Sequence, residues 1–185
     1  MAAKKRSPAR RTPSTRAIGT RAATELKTVP NGIAARYRSG QDGAVRGALS
    51  PLGRVESYPQ QRMIVLHRAS GITAAKVRAV LDELQRAKLI AFVTPVLLDP
   101  DSRTRQVLTD EIVVRLKPGR GRRTLAALEA VHGIEIDRRN EFEPSQYIVK
   151  VPKPSGLQTL NVARSLDRSE DVEFASPNFL TEIKR

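Results

Sequence analysis

The sequence predicts an α+β fold with two tandem ferredoxin-like β-α-β-β-α-β domains, whose sheets are antiparallel, preceded by a disordered basic arm. Three observations predict it. Strand-like and helix-like hydrophobic patterns alternate in that order over residues 110–180. Four segments of this region have similar counterparts, in the same order, earlier in the chain. The first 24 residues contain seven lysines or arginines and no acidic residue, a composition typical of disorder.

The second predicted domain, 110–185, opens with the motif EIVVRLKPG. Ile112, Val114 and Leu116 alternate with residues of the other face, as a half-buried strand requires, and the Pro-Gly pair ends the strand. The following helix ends before Gly133, because glycine accepts the left-handed conformation at a helix end. The order of elements is that of the split β-α-β unit. The predicted strands are 111–117, 134–136, 146–151 and 171–175, and the helices are 122–131 and a second one from about Leu157.

The first predicted domain, 31–98, repeats this pattern. Four matches in one order indicate a tandem pair in which the first copy has diverged from the second. The basic arm covers residues 1–30, and the turn-rich residues 99–109 form the predicted linker. The matched segments are GIAARYRSG (32–40) with EIVVRLKPG (111–119), MIVLHRASGI (63–72) with IVKVPKPSGL (148–157), Leu81-Asp82 with Leu166-Asp167, and FVTPVLL (92–98) with FASPNFL (174–180).

The sequence predicts the two helices of the first domain with unequal clarity. Its first helix must fit between Asp42 and Leu52, although glycines and a proline there lower the helix propensity. Its second helix is predicted more clearly, since Thr73 can cap its N-terminus. The apolar stripe of this helix is expected to be core, as are Phe92 and Phe174 at equivalent positions beside the last strands. The stripe consists of Val77, Val80, Leu81, Leu84 and Leu89.

The second domain resembles the propeptide domain of subtilisin-like serine proteases. The EIVVRLKPG opening, a helix ended by His132-Gly133 and a strand ended by Val151-Pro152 carry this resemblance. The most specific part is the motif VEFASPNFL at 172–180, which is similar to the VEYAEPN of many such propeptides. The resemblance implies a non-catalytic inhibitor or folding chaperone of a subtilisin-like serine protease.

In the resembled family, the open face of the sheet docks on surface helices of the protease. The C-terminal tail then lies in the substrate cleft as an extended strand, a form of β-augmentation. The resemblance implies that the tail of this chain begins at Asn178, and that its final basic pair suits a protease that accepts cations next to the cut. The implied cleft residues are Thr181, Glu182, Ile183, Lys184 and Arg185.

The net charge of +14 and the isoelectric point near 11.0 favour a second class, a nucleic-acid-associated or structural assembly protein. The common RNA-binding module has the same element order, but it needs aromatic residues on its strands to stack bases. Aromatic residues make up 4% of this chain, so stacking on the sheet is not expected. The basic arm is interpreted as a solvated tail, and the alternative is that it contacts a polyanion. The candidate contacts are Lys4, Lys5, Arg6, Arg10, Arg11, Arg16 and Arg21.

Neither a catalytic nor a cofactor-binding pattern is present in the sequence. The chain has no cysteine, and neither His67 nor His132 has a nucleophile and a carboxylate at a recognisable spacing. The motif GRGRRT at 119–124 has Thr in place of the third glycine of a dinucleotide fingerprint. We therefore predict no enzyme activity, no cofactor and no metal. Because a long apolar run and a secretory signal are both lacking, we expect a cytoplasmic location and no membrane partner; the oligomeric state stays open.

Overall fold

A computed structural model of the chain describes residues 26–181. Within this range the order β-α-β-β-α-β occurs twice, which confirms the predicted α+β class with two ferredoxin-like units. We call residues 27–98 the first repeat and 105–181 the second repeat. The strands are β1 (Lys27–Tyr37), β2 (Gly53–Tyr58), β3 (Met63–Arg68), β4 (Ile90–Leu98), β5 (Arg105–Leu116), β6 (Glu135–Arg139), β7 (Gln146–Lys150) and β8 (Val172–Thr181). The helices are α1 (Asp42–Leu49), α2 (Ala74–Arg86), α3 (Arg122–His132) and α4 (Gln158–Asp167).

The strand registers place the predicted counterparts at the same points of the two repeats. Arg36 of β1 pairs with Phe92 of β4, and Arg115 of β5 pairs with Phe174 of β8. In each pair the guanidinium carbon lies over the aromatic ring, at 6.0 Å from the ring centroid in the first repeat and 5.3 Å in the second. The alignment of the first and last strands of the two repeats is therefore confirmed.

The alignment of the third strands was wrong by two residues. Ala34 pairs with Val65 in the first repeat, and its counterpart Val113 pairs with Ile148 in the second, so that Val65 and Ile148 are equivalent. The β7–α4 connection, 151–157, contains two residues more than the corresponding β3–α2 connection. This difference in length shifted the sequence alignment, because the Ser-Gly pair that guided it lies after the insertion.

All eight strands of the described residues belong to one sheet, in the order β2-β3-β1-β4-β5-β7-β6, and β8 pairs with the other side of β5. Strand β5 joins the repeats. Its residues 105–107 pair with 96–98 of β4, and its residues 111–115 pair with β7. Strand β8 follows the opposite side of β5 in both of these parts. The two repeats therefore share one hydrogen-bonded sheet.

Each repeat buries an apolar core between its part of the sheet and its two helices. Helix α1 forms in spite of its glycines because Val45 and Leu49 are buried in this core. Residues 50–52 then form a 3-10 turn rather than a continuation of the helix. Two predicted helix ends are confirmed. The Thr73 hydroxyl accepts a hydrogen bond from the Lys76 backbone N–H at 3.2 Å, and Gly133 ends α3 with φ of 61°.

Three predicted boundaries differ from the structure. Residues 27–30, assigned to the arm, form the start of β1, and residues 105–109, assigned to the linker, form the start of β5. Strand β8 continues six residues beyond its predicted end at Ala175. Pro177 is tolerated there because the Ala175 N–H points away from β5 and donates to Asp167 Oδ1 at 3.0 Å. Two residues later, the proline nitrogen faces the same way and needs no strand partner.

Candidate functional site

Each repeat has a sheet face turned away from its helices, which we call its open face. The open face of the first repeat is covered. Phe92 is only 2% exposed there and belongs to an apolar cluster with Val107 and Leu180 of the second repeat. Asp110 of the second repeat also forms an ion pair with Arg36 on this face. Residues of the second repeat therefore close the first open face.

The open face of the second repeat is more accessible. Val113 pairs with Ile148 and with Ser176 of the neighbouring strands, and all three side chains are half-buried. Phe174 lies beside them and is also half-buried. Phe174 was predicted to be a core aromatic like Phe92, but it lies on the open face and outside the helix-side core. The second open face thus presents a partly exposed apolar centre.

Charged residues of both signs surround this apolar centre. Arg115 Nη2 lies 3.1 Å from Glu143 Oε2, and its Nη1 lies 3.8 Å from Glu173 Oε1. On the other side, Arg138 Nη1 lies 3.7 Å from Glu111 Oε1. The rim is therefore an ion-pair network, which is typical of the polar border of a protein-binding surface.

Two carboxylates, Glu143 of the rim and Asp137 beside Arg138, are held in the ionised state. A hydrogen bond from the Lys150 ammonium lowers the pKa of Asp137, and the Arg138 guanidinium acts in the same direction. A hydrogen bond from the Ser145 hydroxyl lowers the pKa of Glu143. Since these pKa values are lower in the folded protein, both contributions to stability are present at neutral pH and are lost as the pH falls through the folded-state values.

The predicted cleft tail is partly inside the sheet. Asn178 to Thr181 belong to β8, where Phe179 pairs with Leu108, Leu180 with Val107 and Thr181 with Gln106. Thr181 is exposed at the end of the strand. The other four predicted cleft residues, Glu182, Ile183, Lys184 and Arg185, lie outside the described residues. The described part of the predicted tail is therefore a paired strand rather than a free segment.

The predicted polyanion contacts of the basic arm also lie outside residues 26–181; they are Lys4, Lys5, Arg6, Arg10, Arg11, Arg16 and Arg21. The basic residues next to the start of α3 lie within the described part and are exposed, namely Lys117, Arg120, Arg122 and Arg123. Among these four, Arg120 forms an ion pair with Asp171, with Nε and Oδ1 2.8 Å apart.

The two histidines are in different repeats. His67 lies on β3 with its Nε2 3.4 Å from Glu56 Oε1, and His132 is the last residue of α3. Within residues 26–181, no group of three or more histidine or acidic side chains is arranged to hold a metal ion. In the same range, none of the helices has the length and apolarity needed to cross a membrane.

A cavity that the sequence did not indicate lies at the junction of the repeats. Its volume is about 450 Å³, and it lies between α2, β4 and the β7–α4 connection. The connection closes one side by docking on β4: the Gly156 N–H donates to the Val93 carbonyl at 3.2 Å, and the Thr94 hydroxyl donates to the Gly156 carbonyl at 3.3 Å. The two-residue insertion in this connection is the sequence signal that could have indicated the contact.

No protein-family model matches the chain, and no curated protein matches it. Among solved structures, the crystal structure of the acetolactate synthase small subunit from Thermotoga maritima is similar at 10% sequence identity, with a TM-score of 0.28. The matched region covers 83% of this chain and 96% of that chain. A likeness of this strength carries no information about the function of this chain. By its own geometry the chain is a tandem ferredoxin-like protein with one covered and one accessible open face.

Proposed function

We propose that this chain is a non-catalytic regulator, an inhibitor or folding chaperone, of a subtilisin-like serine protease, and that it docks through the open face of its second repeat. The contrast between the two open faces supports this proposal. Phe92 is 2% exposed, whereas its counterpart Phe174 is half-buried beside Val113 and Ile148. A partly exposed apolar centre with a charged rim is the usual composition of a protein-binding surface.

The area of the second open face is too small to form a stable protein interface without other contacts. Four strands spaced at about 4.8 Å and roughly five residues long present a projected area on the order of 300 Å². A standard interface buries about 800 Å² on each partner. A stable complex would therefore need further contacts, and in this proposal residues after Thr181 supply them. The position of β8 as an edge strand of the second repeat supports this part of the proposal.

We expect the Ile148→Glu substitution to raise the inhibition constant for a subtilisin-like protease about 30-fold or more. The new carboxylate would be buried without a partner at the centre of the docked face, where truncation of hot-spot residues commonly has effects of this size. Inhibition of subtilisin and of related proteases by the full chain and by the variant measures this effect. Val131→Glu is the matched control, since Val131 is 76% exposed on α3, away from the open face.

A form ending at Leu180 tests the cleft tail separately. It should still bind the protease through the sheet, but it should no longer block hydrolysis of a small chromogenic substrate. If both forms inhibit equally, the tail has no role in the cleft. If the full chain forms no complex with any subtilisin-like protease, the proposed function is wrong.

The net charge of +14 favours a second candidate function, in which the chain binds a polyanion through its arm. Deletion of residues 1–24 removes seven positive charges. We expect this deletion to flatten the dependence of DNA or RNA affinity on salt, because each phosphate contact contributes roughly 0.7 to 0.9 to the logarithmic salt slope. A variant with the seven basic residues changed to alanine keeps the length and is the control. An unchanged salt slope in both variants would mean that the polyanion site lies outside residues 1–24.

A further inference from the structure

The junction cavity is apolar on its floor and charged on one wall. Its floor is formed by Ile33, Leu81 and Val93. Arg78 and Asp82, one turn apart on α2, form the charged wall, and both are exposed. Among the described residues, neither has an ion-pair partner. A cavity of about 450 Å³ is within the usual size range of binding pockets, and it is large enough to admit an aromatic side chain.

An aromatic side chain is exposed elsewhere on the molecule. Phe142, in the turn between β6 and β7, is 95% exposed. This exposure is not the result of a loose turn. The Phe142 N–H donates to Asn140 Oδ1 at 2.9 Å, the Asn140 side-chain amide donates to Gln146 Oε1 at 2.9 Å, and Arg139 Nε donates to the Pro144 carbonyl at 2.7 Å. The turn therefore holds the ring away from its own repeat.

The corresponding turn of the first repeat carries no such side chain. It is shorter, with a 3-10 turn at Pro59–Gln61 between β2 and β3, and its residues 59–62 are proline, two glutamines and arginine. The longer turn of the second repeat, 140–145, is therefore not required for the β-β connection. An exposed phenylalanine in a turn fixed by hydrogen bonds is the arrangement expected of an anchor residue in an interface.

Phe142 cannot reach the cavity of its own chain. The turn that carries it precedes β7, whereas the 151–157 connection that closes the cavity follows β7. The five residues of β7 separate the two by about 17 Å along the strand direction. The anchor and the cavity thus lie at opposite ends of the second repeat, so they can meet only between two copies.

We propose that Phe142 of one copy inserts into the junction cavity of a second copy. Charge complementarity supports this pairing. Glu141, next to the anchor, has no ion-pair partner among the described residues and would face Arg78 at the cavity wall. Because the contact joins two different surfaces, repeated contacts form a ring or an open chain. The inference is independent of the proposed protease regulation.

The first test is self-association of the full chain, measured as molar mass against concentration by light scattering. We expect Phe142→Ala and Ala74→Trp each to abolish the association, since the first removes the anchor and the second fills the cavity from its α2 wall. Val131→Ala and Ala75→Trp are the matched controls and should associate like the unmodified chain. Both controls change exposed residues, and Ala75 does not line the cavity.

The decisive test mixes the two inactive variants. Phe142→Ala retains an intact cavity and Ala74→Trp retains an intact anchor, so an equimolar mixture should form a 1:1 complex that neither variant forms alone. Unchanged melting temperatures would establish that both variants are folded. The proposal is overturned if the unmodified chain stays monomeric, if Phe142→Ala still associates, or if the mixture of folded variants stays monomeric.

Discussion

The Phe92→Ala variant is expected to lose about 3 to 5 kcal/mol of unfolding free energy, the usual cost of deleting a buried phenylalanine. Phe92 is 2% exposed and packs in a cluster with Met63 and Val65. The equivalent Phe174→Ala variant should lose only about 1 kcal/mol, because its ring is half-buried and leaves a smaller cavity. Urea denaturation of the two variants measures both values.

This matched pair tests the asymmetry of the two open faces. Equal losses would mean that the second open face is covered as completely as the first, and the face would then not be available for docking. The expected difference has a functional counterpart, since Phe174→Ala should weaken binding to a protease while leaving the chain folded. Phe92→Ala should lower stability without a direct effect on the contact surface.

The Asp110→Ala variant is expected to lose about 1 to 3 kcal/mol of unfolding free energy, because removal of one partner from a partly buried ion pair leaves the other charge without its partner. The side chains of Arg36 and Asp110 are 16% and 17% exposed. Arg36 Nε is also buried without a hydrogen-bond acceptor among the described residues. The remaining Arg36 charge would therefore lack its carboxylate partner in an apolar cluster.

Two further variants separate the ion pair from general damage to the fold. The Arg36→Met/Asp110→Leu double variant removes both charges, and replacing a buried pair by apolar residues is commonly neutral or stabilising. Removal of the counterpart Arg115 should cost at most about 1 kcal/mol, because its partners Glu143 and Glu173 are 41% and 50% exposed. Chemical denaturation measures all of these variants. A double variant as unstable as Asp110→Ala would contradict the assigned role of the pair.

The tandem fold could be predicted because the repeat preserves residue types that local physics requires. The Arg36–Phe92 and Arg115–Phe174 pairs keep the same register in both repeats. Thr73 and Gly133 mark helix ends by their own chemistry, each in one repeat only, since the equivalent positions are Leu157 and Ser50. Helix α1 was harder to predict because its stability comes from buried Val45 and Leu49 rather than from propensity. The strand ends could not be predicted from alternation alone. In β5 the register shifts between Leu108 and Ile112, which interrupts the two-residue period.

The candidate site could be predicted less completely than the fold. Sequence patterns assign residues to a face of a sheet, but they do not reveal what covers that face. The cover of the first open face comes from Val107, Asp110 and Leu180, which are distant in sequence from the residues they contact. The same limit applies to the junction cavity, since the contact between Gly156 and Val93 depends on how the repeats are arranged.

The shared strand β5 has a consequence for how the molecule unfolds. Because β5 is hydrogen-bonded to β4 of the first repeat and to β7 and β8 of the second, and because Val107 and Leu180 cover Phe92, loss of the second repeat would expose apolar surface of the first. We therefore expect no populated intermediate in which one repeat remains folded alone. Such coupling makes the two halves a single cooperative unit, with one melting transition and with the slowest amide hydrogen exchange expected along β5.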